Sequence, residues 1–190
     1  MMSQAPDNLT SAEIDAARGR SAPGSKLRSM SELRAIRAGA RARGQRIVFT
    51  NGCFDVLHAG HVRYLREARS LGDLLVVAVN SDASVQRLKG AGRPVNPLDD
   101  RLEVLSGLEM VDHLIVFDTD SVRPVVEQVR PDVLVKGGDY PRLEDVVGWD
   151  IVQADGGEVR VLSALPGRST TATLARLEQE EGTNTGPDRP

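Results

Sequence analysis

The sequence predicts an α/β fold in which helices cover both faces of a parallel five-stranded sheet, the doubly wound arrangement. Short apolar runs recur along the chain, and segments with apolar residues at helical spacing lie between them. Strands that alternate with helices in this way are joined by crossovers and run parallel. The run at Leu74–Asn80 begins with six consecutive apolar residues, as expected for a strand buried on both faces.

The predicted helices and strands follow in order along the chain. Ahead of the first strand, Ser29 and Glu32 have the spacing of a capping box, which begins a helix, and Gly44 suits its end. Apolar runs predict the strands, which occupy 46–50, 74–80, 114–117, 133–135 and 159–162. Helical spacing of apolar residues predicts the helices, which occupy 30–43, 62–71, 97–110, 122–129 and 169–177.

The length of 190 residues predicts one domain with a tail at each end. Residues 1–27 and 179–190 are rich in small, polar and charged residues and have few large apolar ones. Such segments cannot bury enough apolar surface to fold, so we expect two disordered tails around a domain at 28–178.

Composition excludes several classes of protein. The formal net charge of −3 argues against a nucleic-acid protein that relies on bulk positive charge. Cys53 is the single cysteine, which excludes an intrachain disulfide and a cysteine-based zinc site. No run approaches the roughly 18 apolar residues of a membrane span, and the N-terminus has no signal-peptide core. We therefore expect a cytoplasmic protein with no nucleic-acid or membrane partner.

The carboxyl ends of the strands are where ligands bind in such sheets. The first of these ends carries the segment 50–61, TNGCFDVLHAGH, which leads into a helix. His58 and His61 are three residues apart at the expected helix start, which places both imidazoles on one face. A helix start also favours phosphate through its free N–H groups, so the pair suits phosphate oxygens. An ordinary surface pair and a zinc site are the alternatives, and zinc would need a third ligand, for which only His113 remains among the histidines.

Two motifs resemble one known family. The run GCFDVLHAGH (52–61) resembles the GxFDxxHxGH signature of the cytidylyltransferase-like nucleotidyltransferases, and GRSTT (167–171) lies where that family has its second signature. Within the family, the chain is most similar to the D-glycero-β-D-manno-heptose 1-phosphate adenylyltransferases. The runs RPVNP (93–97) and VKGGDY (135–140) carry that likeness, because glycerol-phosphate cytidylyltransferases have other residues there.

The resemblance implies a Rossmann-like nucleotidyltransferase fold and a reaction. AMP would pass from ATP to heptose 1-phosphate, giving ADP-heptose and pyrophosphate, with Mg²⁺ bound as part of the ATP complex. Many relatives carry a fused sugar kinase, which this sequence lacks, so the resemblance implies a stand-alone enzyme. A homodimer is a candidate assembly, since dimers are common in the superfamily.

The resemblance also implies roles for individual residues. His58, His61 and Lys89 would be catalytic, the histidines on the phosphates and Lys89 as a mobile loop charge, unless it is an ordinary solvated lysine. Arg93 would bind the sugar phosphate or form a structural salt bridge. The predicted nucleotide-binding residues form the phosphate loop (Thr50, Asn51, Gly52, Phe54), the wall around the base (Lys136, Gly137, Gly138, Asp139, Tyr140) and the second phosphate site (Ser169, Thr170, Thr171).

Other interpretations remain open at this point. A cytidylyltransferase acting on a polyol or sugar phosphate would share the same motifs. A nucleotide-binding module without catalysis would share the fold. A dehydrogenase is disfavoured, because no Gly-x-Gly-x-x-Gly follows the first strand.

Overall fold

The computed structural model describes residues 26–138 and 140–163. Its strands are β1 (Ile47–Gly52), β2 (Leu74–Asn80), β3 (His113–Phe117), β4 (Val133–Gly137) and β5 (Glu158–Leu162). Its α-helices are α1 (Met30–Ala42), α2 (Ala59–Arg69), α3 (Asp82–Lys89), α4 (Leu98–Ser106), α5 (Arg123–Val129) and α6 (Trp149–Ala154). A short 3₁₀ helix occupies Leu143–Asp145.

The five strands form one parallel sheet in the order β3-β2-β1-β4-β5, which confirms the predicted fold class. The chain builds the sheet outward from β1 through β2 to β3 and then returns to place β4 on the other side of β1. Strand order therefore reverses between β1 and β4. This reversal opens a crevice at the carboxyl edge of the sheet, where a ligand is expected.

Apolar side chains cover both faces of the sheet, as alternation along each strand requires. Val48 of β1 packs with Leu65 of α2 and Leu102 of α4 on one face. Phe49, the next residue, packs on the opposite face with Leu33 of α1 and Val126 of α5. The sheet is thus the middle of three layers, and its residues are buried from both sides.

Helix α1 begins with the predicted capping box. Ser29 Oγ accepts from the Glu32 backbone N–H at 3.3 Å, and the Glu32 carboxylate accepts from the Ser29 N–H at 2.7 Å. The two contacts satisfy backbone donors that the first turn leaves unpaired. Gly44 follows the helix with a φ of 66°, a conformation that glycine adopts without strain.

The structure differs from the prediction at several boundaries. Strand β1 extends through Asn51 and Gly52, because its pairing with β2 continues to Gly52↔Val79. Helix α4 ends at Ser106, before Gly107, and not at 110. Leu27, assigned to the N-terminal tail, is buried and pairs with Leu114, so the folded unit includes it. The predicted helix at 169–177 and the segments 1–25 and 179–190 lie outside the described residues.

Two helices had no counterpart in the prediction. Helix α3 has Ser81 as its cap, with Ser81 Oγ accepting from the Ser84 N–H at 3.0 Å. Lys89 is the last residue of α3 and not part of a loop. Helix α6 follows Gly148, whose φ of 91° turns the chain into it. Within the described ranges the longest helix has 13 residues, and none of these helices meets the length and hydrophobicity of a transmembrane span.

Replacing Gly72 with alanine should lower the free energy of unfolding by about 1–3 kcal/mol. A Cβ at Gly72 would lie 2.7 Å from Val48 Cγ2 and 2.9 Å from the Arg46 carbonyl oxygen, at the turn that leads into β2. The matched control is Gly39→Ala in α1, where the nearest atoms belong to the flexible Arg43 side chain. That change should stabilise the protein by about 0.5–1 kcal/mol. Urea unfolding measures both, and equal effects of the two substitutions would contradict this view of Gly72.

Candidate active site

A cleft of about 690 Å³ opens at the carboxyl edge of the sheet, over the β1–β4 reversal. It brings together most of the residues that the sequence predicted for the site, from three stretches of the chain, 51–61, 89–93 and 136–140. The predicted residues that line it are Asn51, Gly52, Phe54, His58, His61, Lys89, Arg93, Lys136, Gly137, Gly138 and Tyr140. Asp139, Ser169, Thr170 and Thr171 lie outside the described residues.

The two histidines cap helix α2. His58 is the N-cap residue, and its Nδ1 accepts from the Gly60 N–H at 3.1 Å. His61 reaches back, so that its Nδ1 accepts from the His58 N–H at 3.4 Å. This is the reciprocal geometry of a capping box, built from two imidazoles in place of Ser and Glu. The ring centroids are 4.1 Å apart.

Capping determines which ring nitrogen carries hydrogen. A nitrogen that accepts a hydrogen bond carries no proton, so each neutral ring has its hydrogen on Nε2. Burial, followed by the charge of His58, lowers the pKa of His61 to about 4, so His61 is neutral at pH 7. The site therefore presents imidazole N–H donors at the positive end of a helix, which suits phosphate oxygens.

Acidification should destabilise the protein between pH 6.5 and 5 through His61 and His113. The pKa of His113 is also lowered, chiefly by burial, while the unfolded chain protonates both residues near pH 6.5. Stability from these groups is complete above pH 6.5 and is lost as the pH falls toward the folded-state pKa values. Urea unfolding at pH 7.5 and pH 5 measures this loss. The His61→Gln variant should show a smaller loss, and an unchanged loss would contradict the assignment.

A buried carboxylate holds the turn before the histidines. Asp55 is 3% exposed. Its Oδ2 accepts from Arg93 Nε at 2.6 Å, and its Oδ1 accepts from the Val95 N–H at 2.7 Å and the Asn96 N–H at 3.0 Å. Asp55 thus ties the loop after α3 to the turn that carries the histidines. Of the two roles left open for Arg93, the structure shows the salt bridge, although Arg93 also lines the cleft.

Arg101 supports the same turn, and the sequence analysis did not identify it. Its guanidinium is 1% exposed and donates to the Cys53 carbonyl at 2.5 Å and the Asn96 carbonyl at 3.2 Å. It also pairs with Asp82 at 2.7 Å. An arginine on a helix with apolar neighbours is usually solvent-exposed, so the sequence carried no signal for this burial.

Lys136 crosses the strand reversal. It lies within β4, and its Nζ donates to Asn51 Oδ1 of β1 at 2.9 Å. Burial lowers the pKa of Lys136 to about 8. The contact joins the carboxyl ends of the two strands between which the cleft opens.

One predicted ligand residue has a different role. Thr50 was expected to lie along the phosphates, but it lies inside β1, is fully buried and does not line the cleft. Its hydroxyl is 2.5 Å from the Tyr64 hydroxyl, which donates to the Val135 carbonyl at 3.1 Å. Thr50 therefore supports Tyr64, which does line the cleft. Cys53 and Asn80 are further cleft residues that the sequence analysis did not assign to binding.

No group of three or more His, Cys, Asp or Glu residues with metal-binding geometry occurs within 26–138 and 140–163. The carboxylate of Asp55, in the turn that leads to the histidines, accepts hydrogen bonds from Arg93 and from two backbone N–H groups.

Comparison with known proteins decides the family. The cytidylyltransferase-like family model matches residues 49–157, which include the histidine turn and the cleft strands. The chain belongs to the cytidylyltransferase-like family. This match confirms the predicted class of protein, a nucleotidyltransferase.

Curated relatives in this family are closely similar over the domain. The chain is 54% identical over 153 residues to the "Bifunctional protein HldE" of Hahella chejuensis, which covers 80% of this chain and 32% of that protein. It is 60% identical over 141 residues to the HldE of Pseudomonas paraeruginosa, covering 74% of this chain and 30% of the relative. The chain thus spans about a third of the length of these cytidylyltransferase-like relatives.

Solved structures share the fold. A lipopolysaccharide core biosynthesis protein from Thermoplasma volcanium is 30% identical with a TM-score of 0.53, covering 64% of this chain and 98% of that one. A pantoate-beta-alanine ligase from Francisella tularensis has a TM-score of 0.54 at 15% identity, covering 76% and 68% of the two chains. The second likeness concerns the fold alone.

Proposed function

We propose that this domain transfers AMP from ATP to D-glycero-β-D-manno-heptose 1-phosphate, giving ADP-heptose and pyrophosphate. The observation that carries the proposal is the capped histidine pair, which presents imidazole N–H donors in the cleft. The identity of 54–60% to HldE proteins supports the narrower assignment to a heptose phosphate.

The reaction requires charge stabilisation more than proton transfer. An oxygen of the acceptor phosphate attacks the α-phosphorus of ATP, the bond from that phosphorus to the bridging oxygen breaks, and pyrophosphate leaves with the bonding electrons. The attacking oxygen is already anionic, so no general base is needed. Catalysis then consists of positioning and of donors aimed at oxygens that gain charge.

The chain's own residues supply those donors. His58 and His61 would donate from Nε2 to the phosphate being transferred, and Lys89 would approach from the end of α3. Mg²⁺ would enter with ATP and neutralise charge on its phosphates. A role for Ser169, Thr170 and Thr171 on the β- and γ-phosphates stays a prediction.

The nucleoside would lie over the end of β4. Gly138 has a φ of 117°, which suits glycine, and the absence of a side chain lets a base approach the backbone. Gly137 packs against the Tyr64 ring, since a Cβ there would be 3.1 Å from Tyr64 Cε2. Tyr140 lines the same side of the cleft. We propose a cytoplasmic location, where ATP is available.

Substrate profiling tests the proposal. The full chain is incubated with ATP or CTP and with heptose 1-phosphate, other sugar 1-phosphates or glycerol 3-phosphate, while pyrophosphate release is followed. Mass spectrometry identifies the nucleotide product. Formation of ADP-heptose, faster than any other product, is the expected result. Activity with CTP and a polyol phosphate alone, or nucleotide binding without turnover, would contradict it.

A further inference from the structure

Lys136 is a half-buried cation whose described hydrogen-bond partners are all neutral. Its Nζ donates to Asn51 Oδ1 at 2.9 Å and to the Asn51 carbonyl at 3.4 Å. Among the described residues, which do not include Asp139, no carboxylate pairs with it. Burying an ammonium beside neutral oxygens is costly, and burial accordingly lowers the pKa of Lys136 to about 8. Residues in such an arrangement, lining a cleft, are candidates to bind an anionic ligand.

A second ammonium lines the same cleft. Lys89 ends α3 and lines the cleft, and its charge acts on the Cys53 thiol. Burial raises the pKa of the Cys53 thiol, so Cys53 is uncharged at pH 7. Lys89, Lys136 and Cys53 all line this cleft.

The arginines near Cys53 are neutralised by partners, in contrast to the two lysines. Arg93 pairs with Asp55 at 2.6 Å, and Arg101 pairs with Asp82 at 2.7 Å. In the described part of the chain neither Lys89 nor Lys136 has such a carboxylate. The uncompensated positive charge of the cleft is thus concentrated between the two lysines.

Charge matching distinguishes which phosphate belongs there. A phosphate monoester carries nearly two negative charges above pH 7, because its second pKa is near 6. The α-phosphate of ATP is esterified on two sides and carries one. The imidazole N–H donors suit the singly charged group, whereas two ammonium groups suit the dianion.

We infer that Lys136, together with Lys89, binds the phosphate of the acceptor and does not form part of the wall around the base. The ligand class is a phosphate monoester dianion, which in the proposed function is the sugar 1-phosphate. Arg93 then acts by holding its loop on Asp55, and Cys53 lies under the bound phosphate as a small, uncharged residue. The inference rests on the proposed function for the identity of the sugar, but not for the anion site itself.

Kinetics of a volume-matched variant give the first test. Lys136→Met should raise the KM for the sugar phosphate by about 10- to 100-fold, as expected for loss of a charged hydrogen bond, and leave the KM for ATP within about threefold. Lys136→Arg should recover part of the loss. Lys26→Arg is the control, because Lys26 donates to the Leu108 carbonyl, and neither residue lines the cleft. A rise in the KM for ATP that equals or exceeds the rise for the acceptor would overturn the inference.

A binding measurement on the unmodified chain needs no turnover. The protein has three lysines, Lys26, Lys89 and Lys136, so ¹³C labelling at the lysine ε-carbon gives three signals that single Lys→Arg variants assign. Inorganic phosphate is added at pH 8, where the Lys136 ammonium is partly deprotonated. The signals of Lys136 and Lys89 should move together while that of Lys26 stays in place.

The two tests separate the anion site from the proposed function. A Lys136 signal that does not respond to phosphate overturns the inference even if ADP-heptose is formed. A responding Lys136 signal in a protein that forms no ADP-heptose keeps the anion site and removes the proposed substrate.

Discussion

Replacing His58 with asparagine should lower kcat/KM by about 100- to 1000-fold and leave the free energy of unfolding nearly unchanged. Asparagine is a favoured N-cap residue, and its Oδ1 can accept from the Gly60 N–H as His58 Nδ1 does at 3.1 Å. It has no donor at the position of Nε2, so only the contact with phosphate is lost. Steady-state kinetics and urea unfolding of the same preparation measure the two effects.

The matched variant for this test is His58→Ala. It removes both the cap and the donor, so it should lose activity as His58→Asn does and also about 0.5–2 kcal/mol of stability. An asparagine variant with full activity would show that His58 only caps α2 and does not contribute to catalysis. An asparagine variant as unstable as the alanine variant would show that the capping role was misassigned.

Replacing Asp55 with asparagine should lower the free energy of unfolding by about 3 kcal/mol and reduce activity as well. The change leaves the Arg93 guanidinium, whose side chain is 20% exposed, facing a neutral amide, and this partial exposure places the cost at the lower end for a broken buried pair. It also loosens the loop that carries Val95 and Asn96 against the histidine turn. Urea unfolding and kcat/KM measure the two losses.

A surface ion pair provides the control for Asp55. Glu158 pairs with Arg46 at 3.3 Å, and both side chains are more than a third exposed. Glu158→Gln should therefore change stability by less than about 1 kcal/mol. If Asp55→Asn is as mild as Glu158→Gln, the network around Asp55 does not organise the turn.

The fold could be predicted from the sequence because the strands are strongly apolar. The strand at Leu74–Asn80 was predicted with its observed bounds. A parallel strand that is covered on both faces forms a continuous apolar run, so both of its ends are visible in the sequence. Helix α3 was missed because DASVQRLK contains few apolar residues and its start depends on Ser81. A periodic pattern of apolar residues does not reveal a helix that is stabilised chiefly by its cap and by tertiary contacts.

Only part of the site could be predicted from the sequence. The sequence indicated His58 and His61 as a phosphate-binding pair, but it could not show that each ring caps α2 through Nδ1, because that depends on backbone geometry. Thr50 was assigned to the phosphate loop because it ends the predicted strand at 46–50, but its side chain is buried against Tyr64, which the sequence did not indicate. Arg101 was missed because its partners are carbonyl oxygens brought together by the fold.

A crystal structure with a non-hydrolysable ATP analogue, bridged by methylene between the α- and β-phosphorus, tests the central claim most directly. The distances from His58 Nε2 and His61 Nε2 to the α-phosphate oxygens should be about 2.7–3.2 Å, with both Nδ1 atoms still bound to the α2 backbone. An analogue whose phosphates lie away from this pair, or rings that release the helix to reach the phosphates through Nδ1, would contradict the account.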